Sequence, residues 1–153
     1  MDVDGRGMRI LIATGSLVNR GGPEMYARDL AVSLTRAGHT VAVYSPILGE
    51  IAGDFRAADA EVFDRLHDVR WIPDVLHGQH GLDAMTALCH FPSTPAVFVS
   101  HGWIHWGDIP PRHPRILRYV AVDAPTRDSA TRRCGIPQTQ VRLVTNFVDL
   151  ERY

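Results

Sequence analysis

Apolar residues along this chain fall into short continuous runs separated by stretches of helical period. The first run, Ile10-Leu11-Ile12-Ala13, is continuous rather than alternating. That is the pattern of a strand covered on both faces. Ala27, Leu30, Ala31 and Leu34 then recur at helical spacing. Gly22-Pro23-Glu24 starts that helix, since proline suits its first turn and an acid there meets the positive end of the dipole. Gly38 sits where a left-handed C-terminal cap is wanted. A second run, Val41 to Tyr44, predicts the next strand.

The alternation continues to the end. Ile47 to Ala60 carries a weak helical pattern, and Glu61 to Asp64 a short strand. Arg65 to Pro73 is a polar connection. Asp74 to Gly78 predicts a strand, and Leu82 to Phe91 a helix with Leu82, Met85, Leu88 and Cys89 on one side. Ala96 to Ser100 predicts a further strand, and the proline-rich Ile104 to Pro114 a loop. Arg115 to Leu117 reads as a helical turn and Tyr119 to Val122 as a strand. Asp123 as N-cap, Pro125 and the stop at Gly135 bracket a last helix. Pro137 to Gln140 then turns the chain into a final strand, Val141 to Val144.

Strands alternating with helices imply right-handed crossovers and an α/β fold, a Rossmann-like doubly wound parallel sheet with helices on both faces. Ligands of such sheets bind at the carboxyl ends of the strands, where the winding reverses. With strand order 3-2-1-4-5-6, the loops after strands one and four flank that crevice. They carry Gly21-Gly22 and His77-Gly78-Gln79-His80, and the loop after strand five adds His101 and Trp103. Thr14 to Gly22 delivers backbone N–H groups at a helix start, which suits a phosphate. G-x-G-x-x-G is absent, and no Gly-Lys-Ser/Thr follows, so the loop is neither the dinucleotide nor the Walker type. On the residues alone, a phosphate cradle and a plain tight turn both stand.

Composition narrows the class. With 153 residues, 45% apolar and 22% charged, the chain reads as one globular domain, residues 8–153 behind a flexible 1–7. A net charge of −1 gives no drive towards nucleic acid. Cys89 and Cys134 make no disulfide framework and read as buried thiols of a reducing compartment. The short acidic start is no signal peptide, and no apolar run reaches spanning length, so the expected location is cytoplasmic.

An ordered set of segments carries a resemblance: MRILI with RGGPEMYARDLAVSLTRAGHTVAVYSP, then PDVLHGQHG, VFVSHGW, YVAVDAPTRD, RCGIPQTQVRLVTN and FVDLERY. The chain resembles the N-terminal, acceptor-side domain of GT-B glycosyltransferases of family 4. It departs from the family pattern at Thr145, where proline is usual, at Phe147, where glycine is usual, and at Asp123, where serine is usual. The resemblance implies one half of a GT-B architecture, with the C-terminal donor-binding domain absent from a chain that ends at Tyr153. It implies a retaining enzyme that moves a sugar from a nucleotide-sugar donor to a sugar or lipid-linked acceptor, needs no metal cofactor, and is inactive as this half alone.

By the same resemblance, Gly21 and Gly22 approach the donor diphosphate, where the lack of a Cβ allows close contact. His101 is the active-site histidine near the donor sugar. His77 and His80 are acceptor contacts or packing residues. Trp103 and Trp106 wall an acceptor or cover the core. Arg112, His113, Arg115 and Arg118 form a basic cluster that could meet an anionic acceptor or a membrane surface, or form a solvated face. Nothing in the pattern promotes Asp83 or Asp108. Three other readings stay open: zinc held by His77, His80 and His101, a non-catalytic binding or scaffold module using the same crevice, and a nucleotide-binding Rossmann domain.

Overall fold

The computed structural model describes residues 7–147. The N-terminal segment except Gly7, and most of FVDLERY, therefore lie outside the described residues. Seven strands form one sheet: β1 (Arg9–Ala13), β2 (Thr40–Tyr44), β3 (Glu61–Phe63), β4 (Val75–Gly78), β5 (Ala96–Ser100), β6 (Ile116–Ala121) and β7 (Val141–Leu143). Their order is β3-β2-β1-β4-β5-β6-β7, and every pairing is parallel. Four helices accompany them: α1 (Gly22–Arg36), α2 (Ile51–Arg56), α3 (Gly81–His90) and α4 (Ala124–Arg132).

The two faces hold separate cores. Ile10, Ile12, Val41 and Val43 pack with Ala27 and Ala31 of α1 and Ile51 and Phe55 of α2. Leu11, Ala13, Leu76 and Phe98 pack with Ala84, Ala87 and Leu88 of α3 and Ala130 of α4. The winding therefore reverses between β1 and β4, and the crevice opens there. Gly78 lets α3 lie close, because a Cβ on it would stand 2.5 Å from Ala84 Cβ and 3.2 Å from Phe98. Gly38 adopts φ +88° behind α1, a conformation that costs other residues about 1–2 kcal/mol.

Four expectations need correction. The buried side of α3 is Asp83, Ala84, Ala87 and Leu88, while Leu82 is 64% exposed and Cys89 is exposed. Small residues face the sheet because the helix approaches over Gly78, and this turns Leu82 towards the crevice mouth. Cys134 lies just beyond α4 and is half-buried. Within Ile47 to Ala60 only Ile51–Arg56 is helical, since the Ser45 hydroxyl bonds the Gly15 and Ile47 carbonyls and fixes an extended start. Arg115 to Leu117 form no helical turn. Arg115 instead donates to the carbonyls of Leu88, Phe91 and Thr94 at the end of α3, and β6 begins one residue later. Among the described residues no helix is long and apolar enough to cross a membrane.

Candidate functional site

The carboxyl ends of β1, β4 and β5 and the start of α1 meet at the point of reversal. Gly21 is the N-cap of α1, extended at φ −83° and ψ 171°, with no side-chain cap. Its carbonyl accepts from Met25 N–H, and helix geometry leaves the first-turn N–H groups outside the ladder. Gly22 is exposed, and a Cβ on it would meet nothing within 4 Å. Gly21 differs, because Glu24 folds its carboxylate back over it.

One turn into α1, Tyr26 binds this end of the helix to the strand ends. Its ring lies edge-on to His101 at 4.8 Å between centroids and stacks on His77 at 6.3 Å. Its other edge meets Phe147 at 5.4 Å, so the phenylalanine that departs from the family glycine closes one side of the crevice. Burial raises the Tyr26 phenol above its ordinary value. His101 Nε2 stands 3.1 Å from Oε1 of the fully buried Gln79. Burial, with His77 and His80 adding to it, lowers the His101 pKa to about 4, and burial lowers His77 to about 4. Both rings are neutral near pH 7 and act as hydrogen-bonding groups rather than cations. His77 Nδ1 and Gln79 Nε2 are buried without a partner among the described residues.

His80 is turned the other way. Its Nδ1 accepts from Gly15 N–H at 3.0 Å and stands 3.4 Å from Thr14 Oγ1, which fastens the β4 loop to the β1 loop. Beside it opens a largely apolar cleft of about 340 Å³. Ile47, Leu82 and Trp106 supply its walls, while Glu24, His80 and Asp83 supply its polar atoms. Asp83 is buried in the first turn of α3, and burial raises its pKa against a lowering pull from His80. Trp103 and Trp106 are both exposed and line a second, shallower hollow with Ile104 and Asp108. Neither covers the core.

The structure thus brings together His77, His101 and the glycine end of α1 around Tyr26, and His80 and Trp106 around the neighbouring cleft. Trp103 stands outside both. His77, His80 and His101 do not form a metal cage, and among the described residues no three His, Cys, Asp or Glu side chains are placed to hold an ion. The basic cluster is dispersed: Arg115 serves the end of α3, and Arg118 is exposed and bonds the Leu117 carbonyl. Arg112 and His113 line a groove at the amino end of β6, away from the crevice. Sequence reasoning assigned no site role to Tyr26 or Gln79, and read Glu24 only as the first-turn acid of the helix. Tyr26 falls one helical turn after Gly22, and Gln79 comes two residues after His77, just past the end of β4, so both signals were positional.

No curated protein matches the sequence significantly. Two solved structures share the fold. A glycosyltransferase from Rickettsia africae ESF-5 superposes with a TM-score of 0.73 at 16% identity, over 95% of this chain and 44% of its own. Anabaena Alr3699/HepE, solved in complex with UDP and glucose, superposes with a TM-score of 0.72 at 13% identity, over 95% and 46%. The chain therefore spans less than half the length of either. The family model described as Glycosyltransferase Family 4 matches residues 20–152, nearly the whole described fold from the first-loop glycines onward, and the chain belongs to that family.

Proposed function

We propose that this chain is the acceptor-side half of a nucleotide-sugar-dependent, retaining glycosyltransferase whose donor site is completed by a second domain. The observation that carries the reading is the meeting of the open α1 N-terminus and neutral His101 through Tyr26, at the crevice where the sheet reverses. Gly21 and Gly22 bring the first-turn N–H groups of α1 to the donor diphosphate. The approach is open at Gly22, and the Glu24 carboxylate over Gly21 turns aside when the diphosphate binds. His101 is the hydrogen-bonding residue beside the donor sugar. The cleft of Ile47, Leu82, Asp83 and Trp106 holds the acceptor, with His80 shaping its side, while His77 stands beside Tyr26 next to it. The neighbour solved with UDP and glucose supports a sugar nucleotide as donor. Transfer by the 153-residue chain alone is not expected.

Amide chemical-shift mapping tests the placement. A uridine sugar nucleotide titrated into the labelled chain should move Gly15, Gly22, Glu24 and the His101 side chain, and leave the Arg112 groove still. Shifts confined to the amino ends of the strands would overturn it.

A further inference from the structure

Gln79 is fully buried at the end of β4, and only one end of its amide is used. Oε1 meets His101 Nε2 at 3.1 Å, whereas Nε2 has no partner among the described residues. An unpaired buried amide costs stability, and a leucine of similar volume would avoid that cost. A residue kept at such a cost is serving another group, and the group it touches is His101.

We infer that Gln79 is a positioning residue. Its Oε1 accepts the His101 Nε2–H and so holds the ring proton on Nε2. Nδ1 is left as a bare lone pair, and His101 becomes a hydrogen-bond acceptor of fixed tautomer and orientation. The other groups around the ring are Tyr26 from α1, His77 from β4 and His80 from the loop beyond it. None of these is a carboxylate, so none competes for the proton as an anion, and among the described residues it is Gln79 that bonds the ring. The same arrangement keeps the ring uncharged, because a neutral amide acceptor gives an imidazolium far less support than an acid would. The further consequence rests on the proposed function: His101 accepts a hydroxyl of the donor sugar at Nδ1 and does not supply charge to the leaving phosphate.

Long-range proton–nitrogen correlation on histidine-labelled chain reads the tautomer directly. In the parent chain His101 should show a protonated Nε2 and an unprotonated Nδ1. Gln79→Leu should lose that preference. Gln79→Glu should raise the His101 titration by about one pH unit or more, since a carboxylate stabilises the charged ring. The Glu variant also keeps the test open if the Leu variant does not fold. A protonated Nδ1 in the parent chain, or a His101 titration unmoved in Gln79→Glu, would overturn the assignment. In the full-length enzyme, Gln79→Leu and His101→Ala should each lower kcat/KM for the sugar nucleotide about tenfold or more, and the double variant should fall no further. If the tautomer is as stated but neither variant changes transfer, the positioning stands and the donor-side role of His101 fails.

Discussion

Replacing Gly22 by alanine separates the two uses a glycine can have at this loop. Gly22 is the first residue of α1, its φ is not left-handed, and an added Cβ meets no atom within 4 Å. The fold therefore does not need a glycine here. Alanine removes freedom from the unfolded chain, which stabilises by about 0.4–1 kcal/mol at a compatible site. For a chain of this size that raises Tm by about 1–4 °C. Donor binding should move the other way. A methyl group beside the Gly22 N–H blocks a phosphate oxygen, and a hydrogen bond to a charged group contributes about 1.5–3 kcal/mol. The affinity for a sugar nucleotide should then fall about 10- to 100-fold. Thermal unfolding and titration calorimetry on the same samples read both effects. Gly38→Ala is the control, since φ +88° makes it costly by about 1–2 kcal/mol while it lies at the far end of α1. A Gly22→Ala protein that is as stable as the parent and binds donor within twofold would refute the phosphate role and leave the loop a turn.

Further outcomes follow from the packing and the titrating groups. Gly78→Ala should destabilise by about 1–3 kcal/mol in urea unfolding, because the new Cβ would stand 2.5 Å from Ala84 Cβ with no flexible atom to yield. Asp123→Ala should cost about 1 kcal/mol in the same assay, because the carboxylate accepts Thr126 N–H at 2.7 Å as the N-cap of α4. Acid should weaken the fold through the crevice histidines. His77 and His101 lie near 4, below the ordinary 6.5, so between these values the unfolded chain binds protons that the folded chain refuses. Their stabilisation is complete above about pH 6.5 and is lost as the pH falls towards 4, by up to about 3 kcal/mol for His77. His77→Phe should flatten the fall of Tm across that window, and an unchanged slope would remove His77 as its source.

Most of the architecture was readable because it depends on local pattern. Continuous apolar runs located β1, β2 and β5, the βα alternation placed the shorter or mixed β3, β4 and β7 and the second half of β6, and Gly38 and Asp123 marked helix ends through backbone conformation and capping. The misread pieces depended on tertiary contacts. Leu82 fits a helical apolar stripe, yet the proximity of Gly78 and Ala84 sets which side of α3 meets the sheet. Arg115 looks like surface charge, yet it satisfies three carbonyls at the end of α3 that no sequence window contains together. At the candidate site, the positions of His101 and the glycine pair at the crevice were legible from their places after strands. Tyr26 and Gln79 were not, because their meaning comes from what they touch: an aromatic on a helix and a glutamine after a strand have no motif of their own. Phe147 shows the converse, since a departure from a family pattern became interpretable once its ring was found against Tyr26.

The most direct measurement is glycosyl transfer and donor hydrolysis with a panel of sugar nucleotides, run on the 153-residue chain and on any longer gene product that contains it. Turnover by the longer protein, lost on His101→Ala and absent from the chain alone, is the result expected of a half-site completed by a second domain. Equal turnover by the 153-residue chain, or none by the longer protein with any donor, would contradict it.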